Sequence, residues 1–208
     1  MTYRWIGSDT SRRLALPLVG LIAAFSIGCG RSSDAGDGSP DAATALVAPG
    51  GGINGAESDV GKELGKLRAV TARFQSFEAA KSAGYFAQIT GCMTDPTLGG
   101  MGFHYGKPSA IDNVADPLEP EVLLYEPEKN GRLRLVAVEF ILPYSVRPRN
   151  GPVPQLFGRP FVQNDEFELW GLHAWVWRNN PAGMFADWNP QVNCDAVPEA
   201  ARMSHSGH

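Results

Sequence analysis

One stretch of this 208-residue chain constrains its fold more than any other, and it runs from residue 121 to residue 142. Glu121 to Glu126 (EVLLYE) and Arg132 to Leu142 (RLRLVAVEFIL) are rich in apolar and β-branched residues, which is typical of strands. Pro127 ends the first run, and Asn130-Gly131 precedes the second. The two runs therefore predict an antiparallel hairpin that turns at residues 128–131.

Other segments predict further strands and two helices. Glu168 to Trp177 (ELWGLHAWVW) is a strong strand candidate, and Met101 to Tyr105 is a shorter one. A helix is predicted from about Ser58, because apolar or small residues recur there every three or four positions, at Val60, Leu64, Leu67, Thr71 and Phe74. A second helix over residues 77–86 begins after Ser76, a residue type that caps helices. Strands that follow one another without helices favour antiparallel pairing. We therefore expect an α+β domain with N-terminal helices packed on a small curved antiparallel sheet or partial barrel.

Strand alternation places one carboxylate where it is costly. In residues 132–142, strict alternation puts Glu139 on an apolar face, with Leu133, Leu135, Ala137 and Ile141. Burying a carboxylate is unfavourable unless it is paired, hydrogen-bonded or bound to a metal. Glu139 is therefore a candidate site residue.

Two histidines stand in similar positions. Both faces of the run from Glu168 to Trp177 are apolar, so His173 is expected to be buried or half-buried whichever face is covered. His104 lies in GGMGFHYG (residues 99–106), where it shares a strand face with Gly102. Glycine beside histidine leaves space next to the ring, and it also lets another backbone approach closely.

His104, Glu139 and His173 together predict a metal site. Two imidazoles and one carboxylate suit one divalent transition metal, such as zinc, iron, manganese or copper. A structural alternative stays open, in which Glu139 pairs with a buried histidine, with Arg147 or with Arg178. The spacing of the three residues matches no short metal-binding motif, so the sequence leaves the choice undecided.

A ligand pocket is expected around these three residues. Tyr105 and Tyr125 are candidate hydrogen-bond donors, and Glu121 and Glu126 are candidate carboxylates. Trp175 and Trp177 share the strand face of His173. In the loop NPAGMFADWNP (residues 180–190), Phe185 and Trp188 could form a stacking wall with Trp177. The alternative, which the loop composition favours, is a loop folded onto the edge of the sheet.

The N-terminal segment is typical of an export signal. Basic residues precede an uncharged apolar run of 14 residues, Leu14 to Ile27, which is short for a membrane span and suits a signal peptide. Ser26-Ile27-Gly28-Cys29 resembles the lipobox of bacterial lipoproteins, in which the cysteine carries the lipid. Residues 1–28 are thus predicted to be a lipoprotein signal peptide, and Cys29 the lipidation site. Because Ser26 stands where the lipobox usually has leucine, an ordinary cleaved signal and an uncleaved anchor stay open as alternatives.

The rest of the chain is expected to fall into three parts. Residues 29–58 are Gly-, Ser-, Ala- and Asp-rich and predict a flexible tether. Residues 59–203 predict one globular domain, and residues 204–208 a disordered tail. With Cys29 lipidated in an exported protein, Cys92 and Cys194 remain as a disulfide pair.

Charge narrows the range of partners. The formal net charge is −4, and the first 28 residues hold three arginines and one aspartate, so the remainder is more acidic. No basic cluster remains, which disfavours nucleic acid as a partner. The expected partners are a bacterial membrane, through the N-terminal lipid, and a small ligand.

Three blocks of the sequence carry a family resemblance. GCM with GFHYG (residues 91–106), PEVLLYEPEKNGRLRLVAVEFILP (residues 120–143) and LHAWVWRNNPAGMFADWNPQVNC (residues 172–194) resemble a group of secreted bacterial proteins and lipoproteins. That group has no established activity, so the resemblance assigns no catalytic residue.

Three functions remain open at this point. The first is an extracytoplasmic, membrane-anchored lipoprotein whose His/Glu pocket binds a metal ion or small ligand. The second is a metal-dependent enzyme that uses the same residues, and the third is a structural or interaction lipoprotein. The sequence contains no nucleophile elbow and no phosphate-binding glycine loop, which disfavours many hydrolase and nucleotide-binding classes.

Overall fold

The computed structural model describes residues 53–204. It contains two α-helices, α1 (Ile53–Thr71) and α2 (Phe77–Ser82), and three 3₁₀ turns (Ala72–Gln75, Pro108–Ala110 and Glu199–Ala201). Its ten strands are β1 (Ala87–Gln88), β2 (Cys92–Asp95), β3 (Gly99–Gly106), β4 (Val122–Pro127), β5 (Leu133–Pro143), β6 (Gln155–Leu156), β7 (Arg159–Pro160), β8 (Val162–Asn164), β9 (Leu169–Ala174) and β10 (Arg202–Ser204).

Most of the strands form one curled sheet. Its order is β10-β2-β3-β4-β5-β9-β8, with β1 added beside β3. Only β10 and β2 pair in parallel, and the other pairs of this sheet are antiparallel. β6 and β7 form a separate two-stranded ribbon. The mixed α and β fold with a curled, mostly antiparallel sheet confirms the predicted class at that level.

α1 and α2 overlap the two predicted helices, but they are not at the N-terminus of the chain. The two α-helices span residues 53–82, inside the chain rather than at its N-terminus. α1 begins at Ile53, within the segment expected to be a tether. Its predicted stripe does face the core, since Leu67, Thr71 and Phe74 are buried.

The predicted hairpin is present as β4 and β5. The backbone N–H of Gly131 donates to the Glu128 carbonyl at 2.9 Å, and the N–H of Glu128 donates to the Arg132 carbonyl at 2.8 Å. Gly131 has φ +79°, a conformation that glycine adopts without a steric penalty. The turn chemistry in the sequence therefore set the register of the central strand pair.

A β-bulge breaks the predicted alternation of β5. Leu124 pairs with Ala137 and Tyr125 pairs with Leu135, so Val136 has no partner on β4. Residues before the bulge therefore change face, and Leu135 packs in the same cluster as Val138 and Phe140. The prediction that Leu133 and Leu135 share a face with Glu139 was wrong, because strict alternation does not continue through a bulge.

The two faces of the sheet are covered by different parts of the chain. The helices cover one face, where Leu67, Phe74 and Ala80 pack against Tyr125 and Phe140. The opposite face, here called the site face, contains Val122, Leu124, Val136, Ala137, Ile141 and Trp175, and Val192 of the C-terminal segment packs on it. Glu139 lies between Ala137 and Ile141 and therefore projects from the site face.

A disulfide ties the C-terminal segment to the sheet. Cys92 on β2 is bonded to Cys194, with 5.9 Å between their Cα atoms and a sequence separation of 102. Both cysteines are buried with Phe103. The predicted pairing is confirmed.

Candidate metal centre

The three predicted ligands converge on the site face from three strands. His104 lies on β3, Glu139 on β5 and His173 on β9, and Glu139 and His173 are direct cross-strand partners. His104 and Glu139 approach each other over β4. One ligand atom from each of the three residues lies within 4.8 Å of the others.

The spacing within this group is that of ligands rather than of hydrogen-bond partners. His104 Nε2 is 3.7 Å from Glu139 Oε2, and His173 Nε2 is 3.9 Å from Glu139 Oε1. Both distances exceed the usual N–H···O range of about 2.7–3.2 Å. Two ligands on one tetrahedral zinc, each at about 2.0–2.1 Å from the metal, are about 3.4 Å apart. The group could hold a metal ion after side-chain shifts of several tenths of an ångström.

A second set of contacts orients both imidazoles. His173 Nδ1 lies 3.3 Å from Asp187 Oδ1, and because a carboxylate only accepts, the proton of this contact belongs to Nδ1. His104 Nδ1 lies 2.8 Å from the Thr90 hydroxyl oxygen. Each ring is thus held through Nδ1, and each Nε2 points toward Glu139. Orienting contacts of this kind accompany histidine ligands in metal proteins.

The burial of the site shifts the pKa of all three ligands. Burial, with a smaller contribution from the neighbouring His173, lowers the pKa of His104 to about 3. Burial raises the pKa of the Glu139 carboxyl. Burial alone lowers the pKa of His173, but Glu139 and Asp187 outweigh it and hold that pKa above its ordinary value. His104 is therefore neutral at pH 7, with a lone pair available.

Buried polar atoms at the site are incompletely satisfied. His173 Nε2 is buried without a hydrogen-bond partner among the described residues. Leaving a buried polar group unpaired costs about 1–3 kcal/mol. A metal ion between the three groups is one partner that the neutral form of this ring can bind through Nε2.

Glycines create the space and the close approaches that the site needs. A Cβ on Gly171 of β9 would lie 3.0 Å from Glu139 Oε1, so glycine makes room for the carboxylate. A Cβ on Gly99, which has φ +97°, would lie 2.3 Å from the Asn189 carbonyl oxygen. Gly100 forms an isolated bridge with Asn189. The glycines of GGMGFHYG thus let the C-terminal loop pack directly on β3.

That loop brings Asp187 to His173. The Trp175 backbone N–H donates to the Met184 carbonyl at 2.9 Å, and its indole N–H donates to the Ala186 carbonyl at 2.6 Å. The Trp175 ring also stacks on the His173 ring, with 6.4 Å between centroids. The loop of residues 180–190 is therefore folded onto the sheet, the alternative that its composition favoured. The predicted wall of Trp177, Phe185 and Trp188 does not form, since Phe185 stacks on Phe157 and Trp177 packs against Arg68, whereas Trp188 lines the cavity.

Neither arginine that the sequence offered as a partner reaches Glu139. Arg147 donates to the Pro152 carbonyl, and Arg178 donates to the Gln191 carbonyl. Glu139 therefore forms no ion pair with Arg147 or Arg178, the two arginines of the structural alternative. The carboxylate instead faces two imidazoles.

The structure does not bring the other predicted pocket residues to the site. The Tyr125 hydroxyl donates to the Phe74 carbonyl at 2.7 Å, on the helix-covered face. The Tyr105 hydroxyl donates to Gln88 at 3.3 Å. Neighbouring side chains on a strand point to opposite faces, so Tyr105, next to His104 on β3, points away from the site face. Tyr125 on β4 likewise belongs to the helix-covered face.

Two glutamates and one tryptophan also lie elsewhere. Glu126 forms an ion pair with Arg134, its cross-strand partner, and accepts from the Asn193 backbone N–H. Glu121 is buried and accepts from the Ile141 N–H at 3.1 Å. The Trp177 indole donates to the Thr71 hydroxyl at 3.0 Å, because β9 ends at Ala174 and the chain then turns toward α1. Trp175 contributes by stacking behind His173 rather than by lining the cavity.

A cavity of about 600 Å³ adjoins the three ligands. His104, Glu139 and His173 form part of its wall, together with Thr90 and Asp187. The remainder includes residues 162–167, which lead from β8 toward β9. Its volume falls within the range of small-molecule sites.

Sequence reasoning missed Thr90 and Asp187. Each is 14 residues from the histidine that it contacts, and neither lies on the strand of that histidine. Asp187 belongs to the loop of residues 180–190, which was considered at the sequence level only for its aromatic residues. Only the folded positions of β1, β2 and the C-terminal loop reveal the two contacts.

Several predictions fall on residues outside the described range. They are the signal peptide at residues 1–28, the lipidated Cys29, most of the tether at 29–58 and most of the tail at 204–208. The first residue of the predicted tail, Ser204, is described and ends β10. Within residues 53–204, no helix has the length and apolar character needed to cross a bilayer. Comparisons with models of known protein families, with curated proteins and with solved structures find no match to this chain.

Proposed function

We propose that this chain is a lipid-anchored extracytoplasmic protein that binds one divalent transition metal through His104, Glu139 and His173. The observation that carries the proposal is the spacing of the three groups. Two Nε2 atoms lie 3.7 and 3.9 Å from the carboxylate oxygens, too far for hydrogen bonds and close to ligand–ligand separations.

The donor set fits a transition metal. Neutral imidazole suits zinc, copper, iron and nickel, and a carboxylate adds the negative charge that offsets the ion. The contacts from Thr90 and Asp187 fix the ring orientations, which favours binding of an ion at Nε2. Three protein ligands leave at least one coordination position open for water or a ligand.

A structural role for the group is the main competitor. A buried Glu–His pair that served stability alone is expected to close to hydrogen-bond distance, because an unpaired buried group is costly. Here His173 Nε2 has no hydrogen-bond partner in the described part of the chain. A second candidate function is a metal-dependent enzyme that uses the same three residues as metal ligands. The adjoining cavity supports this candidate, because it offers room for a substrate beside the metal.

The proposed location rests on sequence features and one structural one. The apolar run before Cys29, and the resemblance to secreted proteins and lipoproteins, support export and lipid attachment. The Cys92–Cys194 disulfide is compatible with an oxidising compartment.

Metal content tests the binding proposal. The chain is prepared with His205→Ala and His208→Ala, called here the tail-substituted chain, because exposed histidines bind metal weakly. Elemental analysis after exposure to zinc, copper, iron and manganese is expected to give about one equivalent of one metal. The double variant His104→Gln/His173→Gln should give none while keeping its circular dichroism spectrum.

Tyr105, on the same strand as His104, supplies a matched control. Tyr105→Phe removes a hydroxyl from the opposite face of β3 and is expected to leave metal content unchanged. Equal metal content in the tail-substituted chain and the histidine variant would show that the three residues are not ligands.

Membrane fractionation tests the location. In a bacterial host the chain is expected in the membrane fraction, and Cys29→Ser is expected to prevent lipid labelling with radioactive palmitate. Unchanged labelling of Cys29→Ser would exclude this cysteine as the lipid site.

A further inference from the structure

The cavity beside the metal ligands has a wall of mixed character. Its apolar part comes from strands and their connections, through Ile89, Met93, Met101, Val122, Ile141 and Leu169. Phe167 and Trp188 add aromatic surface. At about 600 Å³, the cavity has room for an organic molecule well beyond the coordination sphere of an ion.

Apart from the two histidines, the ionisable side chains on this wall are acidic. Its lining contains Glu139, Asp165, Glu166 and Asp187, and no lysine or arginine appears among its lining residues within 53–204. Arg149 sits behind Asp165 and holds it with contacts of 2.6 and 2.7 Å. A negatively charged ligand therefore meets acidic side chains beyond the ion, and no basic side chain to pair with.

One nitrogen of a residue that lines the cavity, His173 Nε2, has no hydrogen-bond partner among the described residues. His173 itself is 6% exposed. An ion held by the three groups lies beside this mostly apolar space, from which a ligand can reach its open position. A ligand atom with a lone pair can fill that position while the rest of the molecule replaces water on the apolar wall.

We propose that the cavity binds a small, mainly apolar molecule, neutral or cationic, that offers one lone-pair donor to the metal held by His104, Glu139 and His173. The proposal rests on the proposed function. In this proposal, contact with the apolar wall provides most of the affinity for the ligand. Repulsion by the acidic side chains of the lining excludes carboxylates and phosphates.

Three probes that differ in their apolar ring and in the charge of their donor test this assignment on the zinc-loaded, tail-substituted full chain. 4-Phenylimidazole offers a neutral nitrogen donor and a phenyl ring, imidazole offers the same donor alone, and benzoate offers the ring with an anionic donor. Isothermal titration is expected to show 4-phenylimidazole binding at least tenfold more tightly than either of the others. Equal affinities for 4-phenylimidazole and imidazole would overturn the role of the wall, and equal affinity for benzoate would overturn the charge selectivity.

Two variants with matched controls separate the contributions. Met101→Gln puts an amide on the apolar wall and is expected to reduce the preference for 4-phenylimidazole over imidazole severalfold. Met184→Gln, at an exposed residue outside the cavity lining, should leave it unchanged. Glu166→Lys is expected to tighten benzoate binding severalfold, whereas Glu63→Lys, on the exposed face of α1, should not.

Failure of the metal site is distinguishable from failure of the ligand class. If the chain takes up no metal, the proposed function and the metal–donor contact both fail. The same titrations with the metal-free chain then test whether the cavity still prefers a neutral, apolar ligand. Preference for 4-phenylimidazole over benzoate there would support the neutral, apolar ligand class, and absence of binding would overturn it.

Discussion

Glu121 offers a sharp test of how the sheet treats a buried carboxyl group. It is 1% exposed, precedes Val122 on β4, and accepts the Ile141 backbone N–H at 3.1 Å. Burial, with smaller contributions from the charges of Asp112 and Glu139, raises the pKa of this carboxyl to about 8. The two backbone hydrogen bonds act in the opposite direction but do not offset burial.

The sign and size of the stability effect follow from that pKa. Between its ordinary pKa of 4.5 and about 8, Glu121 holds a proton in the folded chain and loses it in the unfolded chain. The folded state therefore binds more protons, and the free energy of unfolding decreases as pH rises through this interval. At about 1.4 kcal/mol for each pKa unit, the decrease is on the order of 5 kcal/mol, complete above pH 8.

The variant Glu121→Gln removes this titration. Its amide oxygen can still accept the Ile141 N–H, so the shape and the hydrogen bond are kept. Urea unfolding of the disulfide-bonded protein, with chelator present and tryptophan fluorescence as the signal, is measured from pH 5 to pH 9. The variant should gain stability relative to the unaltered chain as pH rises, by on the order of 5 kcal/mol over the range.

An exposed glutamate supplies the control. Glu63→Gln on α1 is expected to give a curve parallel to that of the unaltered chain, because Glu63 is exposed. If Glu121→Gln also gives a parallel curve, within about 1 kcal/mol across the range, the carboxyl is not held neutral by burial and the reasoning is refuted.

Three further predictions concern the site and its support. Thr90→Val removes the hydroxyl that holds His104 and should weaken zinc binding about 10–100-fold in a competition assay, and unchanged affinity would exclude the orienting role. Gly171→Ala places a Cβ 3.0 Å from Glu139 Oε1 and should weaken zinc binding severalfold. Gly61→Ala, whose Cβ would have nothing within 4 Å, should leave zinc binding unchanged, and equal effects of the two variants would contradict crowding at Glu139. Cys92→Ala/Cys194→Ala opens a loop with sequence separation 102 and should lower the free energy of unfolding by about 4–5 kcal/mol in urea, and a loss below about 1 kcal/mol would show that the bridge is not stabilising.

Local sequence chemistry was enough to predict the central hairpin. A turn with glycine at a positive φ, next to two β-rich runs, involves residues that are neighbours in the chain. Strict alternation assigned Leu133 and Leu135 to the wrong face of β5, because of the bulge at Val136. The bulge at Val136 depends on how β4 and the segment after β9 pair with β5, since the Trp177 and Arg178 N–H groups both donate to the Val136 carbonyl.

The three candidate ligands could be found from the sequence because each is a polar residue in apolar surroundings. A carboxylate and two histidines on apolar strands carry a cost that the sequence displays, and the alternation near Glu139 holds on the C-terminal side of the bulge. The predicted pocket residues Tyr105, Tyr125, Glu126 and Trp177 were chosen for chemistry rather than for position. Strand parity and cross-strand pairing, which place them elsewhere, outweigh chemical suitability.

The glycines of GGMGFHYG show why the rest of the site was beyond sequence reasoning. Their number indicated a close approach, but not what approaches. The structure brings Asn189 against Gly99 and Gly100, and with it Asp187 against His173. The two segments are about 90 residues apart, and the Cys92–Cys194 bond closes a loop of similar length just beyond. A metal bound to the three ligands would therefore depend on both the sheet and the C-terminal loop, so that its affinity should follow the folding of the whole domain rather than of the three strands alone.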